Sequence, residues 1–110
     1  MSIINDLNWR YATKKMNGET VSSDKLDEIL NAINLAPSSY GLQPFTVIAI
    51  SNAEVKAKLQ EAAYGQVQVG SSSHLLVFAV PTKLTAEHID TFVQLVAKTR
   101  NMPLEALEGY

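Results

Sequence analysis

The chain has 110 residues, 46% of them hydrophobic, a formal net charge of -2 and no cysteine, with an isoelectric point near 5.6. That length allows one domain at most, burying roughly 60–70% of its unfolded surface, and the missing thiols exclude disulfides, thiolate metal sites and a cysteine nucleophile. Mixed acids and bases without a basic run argue against nucleic acid and against a polybasic membrane patch; with no signal-peptide core, and with His74 to Pro81 as the longest apolar run, the expectation is a soluble, cytoplasmic protein.

Ile3, Ile4 and Leu7 fall on one helical face over residues 2–9, with Ser2 placed to cap the first turn. Arg10, Lys14 and Lys15 then put three of the nine positive charges within six positions. Such a cluster suits a solvated helix end, where cations meet the negative pole of the macrodipole. It equally suits a phosphomonoester, because Arg presents a planar fork and Lys a mobile point charge. Asn17-Gly18-Glu19 reads as a turn. A second helix starts at Ser22-Ser23 with Asp24, Asp27 and Glu28 in and near its first turn, carries Leu26, Ile29, Leu30 and Ile33 as its core stripe, and stops at Pro37.

Ala36-Pro37-Ser38-Ser39-Tyr40-Gly41-Leu42-Gln43-Pro44 follows, stiffened by proline at both ends, permissive at Gly41 and rich in donors between. Phe45 to Ile50 is a run of β-formers expected to be a central strand covered on both faces. Asn52 caps a third helix, with Val55, Leu59, Ala62 and Ala63 expected inward and Glu54, Lys56, Lys58 and Glu61 outward. Residues 66–73 alternate without the bulk of a strand, and their structure stays open. His74 to Val80 reads as a second buried strand closed by Pro81.

Thr85 is placed as an N-cap, with Leu84 and Ile89 spaced as a hydrophobic staple. Ile89, Phe92, Val93 and Val96 continue the stripe, and another helix-like pattern begins after Met102-Pro103 and stops. Two strands and four or five helices leave sheet edges and apolar faces uncovered, so further chain or a second copy is expected to complete the sheet.

A short helix, Arg10-Tyr11-Ala12-Thr13-Lys14, a helix, Ala36-Pro37-Ser38-Ser39 with Gln43-Pro44, a strand, Gly65-Gln66, and Ser73-His74-Leu75-Leu76-Val77-Phe78 stand in this order. The order and spacing resemble the N-terminal half of the FMN-dependent nitroreductase family, over essentially the whole chain. The resemblance implies an α+β nitroreductase-like sandwich of helices around a central mixed β-sheet. Residues 1–110 would be the N-terminal part of a single domain, truncated before its second half. It also implies a homodimer with FMN sites at the interface.

By the same resemblance, the segment Arg10, Tyr11, Ala12 and Lys14 holds the FMN phosphate and ribityl chain. Many relatives have Ser where Ala12 stands, so a contact there comes from the backbone. Pro37, Ser38 and Ser39 reach the flavin of the other subunit; Gly41 stands where some relatives place Asn. Gln66 and Gln68 fall where relatives face the pyrimidine edge of the flavin or the nicotinamide, and the plainer reading of two exposed polar residues stays open. Ser73 and His74 match the family pattern, but a lone His opening a strand is read as a packing residue and not as catalytic.

The implied activity is hydride transfer from NAD(P)H through FMN to a small-molecule electron acceptor, nitroaromatic or quinone-like, with no protein nucleophile and no metal. No GxSxG or HExxH occurs, and His74 and His88 are not at ligand spacing. Two rivals stand beside this: a truncated, non-catalytic fragment that dimerises or binds flavin or protein, and a small interaction domain presenting its Ser-rich turn to a protein.

Overall fold

The computed structural model describes residues 2–109. Ser2 caps α1 (Ile3–Trp9) as its sequence suggests, its Oγ accepting the Asn5 N–H at 3.3 Å. The apolar stripe of α1 forms but is left uncovered, with Ile3 74% and Leu7 57% exposed. At Arg10 the backbone leaves the helix for extended geometry (φ −64°, ψ 146°). Arg10 thus caps the helix end, as one reading of the cluster has it, and Lys14 and Lys15 follow on an irregular segment. Asn17 Oδ1 accepts the Glu19 N–H at 3.0 Å, closing the expected turn. Helix α2 (Ser23–Leu35) begins where Ser22 and the acidic first turn place it, and half-buries Leu26, Leu30 and Ile33.

Strands β1 (Thr46–Ile50) and β2 (Leu75–Ala79) pair with each other and with no other strand among the described residues. The expectation of strands buried on both faces fails. Thr46, Ile48 and Ala49 on β1 and Phe78 and Ala79 on β2 are exposed, because among the described residues no other layer covers these positions and each strand keeps an unpaired edge. Helices and sheet together give an α+β arrangement.

The chain divides into two compact units, residues 1–27 with 48–77 and residues 28–47 with 78–110. In the first unit, α3 (Ala53–Ala62) packs on α4 (Val67–Ser71), the short helix into which the undecided stretch folds. Asn52 caps α3, its Oδ1 accepting the Val55 N–H at 3.0 Å. The buried face of α3 is turned about one residue from the one its apolar pattern suggests. Lys56, Leu59, Gln60 and Ala63 face in, while Val55 and Ala62 are exposed. Lys56, expected in solvent, is the most buried residue described, at 6% exposure. A Cβ at Gly70 would lie 2.2 Å from Gln60 Oε1, so a larger residue there requires the Gln60 side chain to move.

In the second unit, α5 (Ala86–Arg100) packs on a 3-10 turn, Leu104–Leu107. The turn is what becomes of the final helix-like pattern, whose last residue, Tyr110, lies outside the described residues. Thr85 stands at the N-cap, where its N–H donates to His88 Nδ1 at 3.1 Å. His88 is exposed and closes the first turn of α5. Asn101 ends α5 in left-handed geometry (φ 52°), letting the Met102 N–H reach back to the Ala97 carbonyl at 3.0 Å. Ala97 and Leu107 are the only buried apolar residues among those described. Phe45 and Phe78 meet as a tilted pair with ring centroids 5.9 Å apart.

Candidate functional site

The loop after α2 is built from the inside by its own polar groups. Ser38 is extended (φ −128°, ψ 163°) and its carbonyl accepts the Gly41 N–H at 2.9 Å, while the Ser39 carbonyl accepts the Leu42 N–H at 3.2 Å. Ser38 Oγ accepts the Gln43 N–H at 2.9 Å, and the Gln43 side-chain amide donates to the Asn34 carbonyl at the end of α2. Tyr40, Gly41 and Gln43 all have positive φ, at 54°, 69° and 44°. Two of these are not glycine, and such geometry is costly unless surrounding bonds hold it. The Ser38 and Gln43 bonds supply that restraint.

The positive φ at Gly41 also gives a physical reason for its identity, since Gly and Asn are the residues that tolerate this region best. Gln43, quoted in the sequence only as part of a motif, emerges as a loop organiser. Its position beside Pro44, which favours extended backbone before it, gave no sign of the left-handed turn.

Ser38 is half-buried and its oxygen is already committed to the loop, whereas Ser39 and Pro37 are exposed. Ser38→Ala is expected to remove the acceptor of the Gln43 N–H at a cost of about 1–2 kcal/mol. Amide hydrogen exchange of Gln43 should rise while that of the α5 amides stays unchanged; an unchanged Gln43 amide would mean that the loop does not depend on this bond.

Pro37, Ser38 and Ser39 belong to the second unit, and the other candidate residues to the first. Arg10, Tyr11, Ala12 and Lys14 lie together on the irregular segment after α1, all exposed. The Arg10 N–H donates to the Asp6 carbonyl at 3.0 Å, which fixes where the segment departs. Its guanidinium and the Lys14 ammonium form no ion pair among the described residues. At the N-terminus of α4, Gln68 Nε2 donates to Gln66 Oε1 at 2.7 Å. Joined head to tail, the two amides still offer an NH2 from Gln66 and an Oε1 from Gln68. The donor set therefore comprises uncommitted cations on one segment and paired amides on another, which suits a phosphate and a ring edge carrying both N–H and carbonyl groups.

A third cluster was not foreseen in the sequence. Lys56 Nζ donates to the Ser72 carbonyl and, at 3.2 Å, to the Ser73 carbonyl. Ser73 Oγ accepts the Val21 N–H at 2.8 Å and lies 2.8 Å from His74 Nδ1. His74 is thus a hydrogen-bonded residue at the head of β2, as read from the sequence. Lys56, Ser71, Ser72 and Ser73 border a recess of about 270 Å³ with Gly18, Thr20 and Ser51. In the second unit, Leu42, Pro44, Phe45, Val80 and Leu84 line a recess of about 430 Å³. Among the described residues no group of His, Cys, Asp and Glu is placed to hold a metal ion, and no helix is long and apolar enough to cross a membrane.

A protein of Bacillus subtilis strain 168, provisionally named NAD(P)H nitroreductase YfkO, is 32% identical over 98% of this chain and 50% of its own length. The FMN reductase [NAD(P)H] of the same organism is 30% identical over 82% of the chain and 37% of its own length. The crystal structure of a nitroreductase-like protein from Streptococcus mutans shares the fold, with a TM-score of 0.80 at 18% identity, over 94% of this chain and 50% of that one. The chain thus spans half or less of the length of these relatives. Residues 7–106 match the Nitroreductase family, and with nearly the whole chain so matched, this protein belongs to that family.

Proposed function

We propose that this chain is the flavin-binding part of an FMN-dependent oxidoreductase that takes hydride from NAD(P)H and delivers it to nitroaromatic or quinone-like acceptors in the cytoplasm. The observation that carries the reading is the pair of exposed, uncommitted cations, Arg10 and Lys14, on the segment leaving α1. Arg10 and Lys14 would hold the FMN phosphate, with backbone N–H groups at Tyr11 and Ala12 beside them. Pro37, Ser38 and Ser39 would support the flavin, and the paired amides of Gln66 and Gln68 would read its pyrimidine edge or the nicotinamide. When bound, FMN supplies the redox chemistry; the chain binds, orients and shields.

The reading includes a homodimer. Ile3, Ile4 and Leu7 form an apolar stripe along α1 that nothing described covers, and a second copy would remove it from water at about 25 cal/mol per Å² of apolar surface. The interest of the dimer is that each site would draw on both copies, Arg10 and Lys14 from one and Ser38 and Ser39 from the other.

The test is the visible spectrum of the purified chain after incubation with FMN and removal of the excess, with its mass measured by light scattering. Retained flavin absorbance that bleaches on adding NAD(P)H, in a particle of twice the chain mass, is the expected result. A colourless protein that takes up no FMN would sink the reading. Flavin uptake without bleaching would leave a binding module and remove the reductase step.

A further inference from the structure

We propose that Lys56 is a positioning residue whose ammonium, acting on the Ser72 and Ser73 carbonyls, fixes the α4–β2 connector and so sets the orientation of α4, which carries Gln66 and Gln68 at its N-terminal end. Its functional consequence rests on the flavin reading above; its structural part does not.

Burial is the first observation. A lysine at 6% exposure has given up its hydration, and an ammonium stays in such a place only when its protons are taken by good acceptors. Here no carboxylate does so among the described residues. The acceptors are two consecutive main-chain carbonyls.

The position of those carbonyls is the second observation. Ser72 is the residue that closes α4, its N–H donating to the Gln68 carbonyl at 3.1 Å. Ser72 Oγ reaches the Val69 carbonyl at 3.2 Å and Ser71 Oγ the Val67 carbonyl at 2.8 Å, so the serine run is bonded back onto α4. Ser73 then ties the same connector to Val21 and to His74 at the head of β2. One side chain on α3 thereby holds the point at which α4, β2 and the stretch before α2 meet. A helix of five residues has too few internal bonds to fix its own direction. Anchoring its C-terminal end fixes where Gln66 and Gln68 stand at the other.

The charge can be separated from the packing because the chain has no cysteine. Lys56→Cys is alkylated while unfolded in urea, in one sample with 2-bromoethylamine, which restores an ammonium of lysine's length, and in another with 1-bromopropane, which fills the same space without charge. After refolding, amide exchange is compared over residues 66–75 and over α5, and FMN affinity is read from quenching of flavin fluorescence. The aminoethyl chain is expected to match the unmodified protein. The propyl chain is expected to exchange about tenfold faster over residues 66–75 with α5 unchanged, and to bind FMN about tenfold more weakly.

Equal behaviour of the two adducts would overturn the proposal, as would a loss of protection spread evenly into α5. If the unmodified chain quenches no flavin fluorescence, the flavin reading falls, and the exchange comparison alone decides the role of Lys56. If neither adduct refolds, the unmodified chain decides. A lysine NH3+ resonance persisting at neutral pH and missing from Lys56→Arg supports the bonded ammonium, and the lack of any such resonance overturns it.

Discussion

Arg10→Ala is expected to weaken FMN binding by about ten- to a hundredfold, the loss of one charge-assisted contact to phosphate at roughly 1.5–3 kcal/mol. Lys15→Ala, one residue beyond the segment assigned to the phosphate, is expected to change it less than about threefold, in the range of an exposed charge acting at a distance. Both residues are exposed and neither is paired, so the difference isolates position from net charge. Titration of flavin fluorescence at two salt concentrations measures it. The Arg10 effect should persist at high salt, because a bidentate contact is screened less than a diffuse field. Equal losses in the two variants would mean a generally basic surface and no phosphate site.

Leu107→Ala is expected to be the most damaging single change to stability in the second unit, at about 2–3 kcal/mol. Leu107 is 8% exposed, and with Ala97 it makes up the buried apolar set. Against a typical total of about 5–15 kcal/mol, that is a large share, and the thermal midpoint should fall by roughly 10 °C or more. Leu104, three residues earlier on the same turn and 48% exposed, supplies the control, because Leu104→Ala should cost less than about 1 kcal/mol. Equal shifts would show that the turn is not docked on α5.

The helices α1, α2, α3 and α5 were legible because their caps and apolar periods agree: Ser2, Ser22, Asn52 and Thr85 each stand at or next to the predicted start. What the pattern could not show was the phase of a face that buries a charge. A lysine counts as polar in any amphipathic pattern, so the pattern assigns Lys56 to solvent and sets the inward face of α3 about one residue off, keeping Leu59 and Ala63. The two strands were found from their β-formers, but their coverage was overestimated, because the residues that fill a strand do not say whether another layer lies over it.

In the candidate site, residue types and order were readable, while the directions of their bonds were not. Nothing in Pro37-Ser38-Ser39 foretold that Ser38 would accept from Gln43 rather than face outward, and nothing in Gln66-Val67-Gln68 foretold that the amides would join. Alternation over 66–73 argued for neither helix nor strand, and the single turn of α4 is settled by its packing on α3.

The sheltered amine of Lys56 has one more consequence. An amine attacks an acylating reagent only when it is free and accessible, and this one is held against two carbonyls out of solvent. Its labelling therefore proceeds only in molecules that have opened around it, while the chain's exposed lysines react at once. Where reclosing is faster than labelling, the ratio of the two rates gives the local opening equilibrium of the first unit. The protein thus carries its own chemical clock for that opening, at a residue whose place in the chain had suggested only a wet surface.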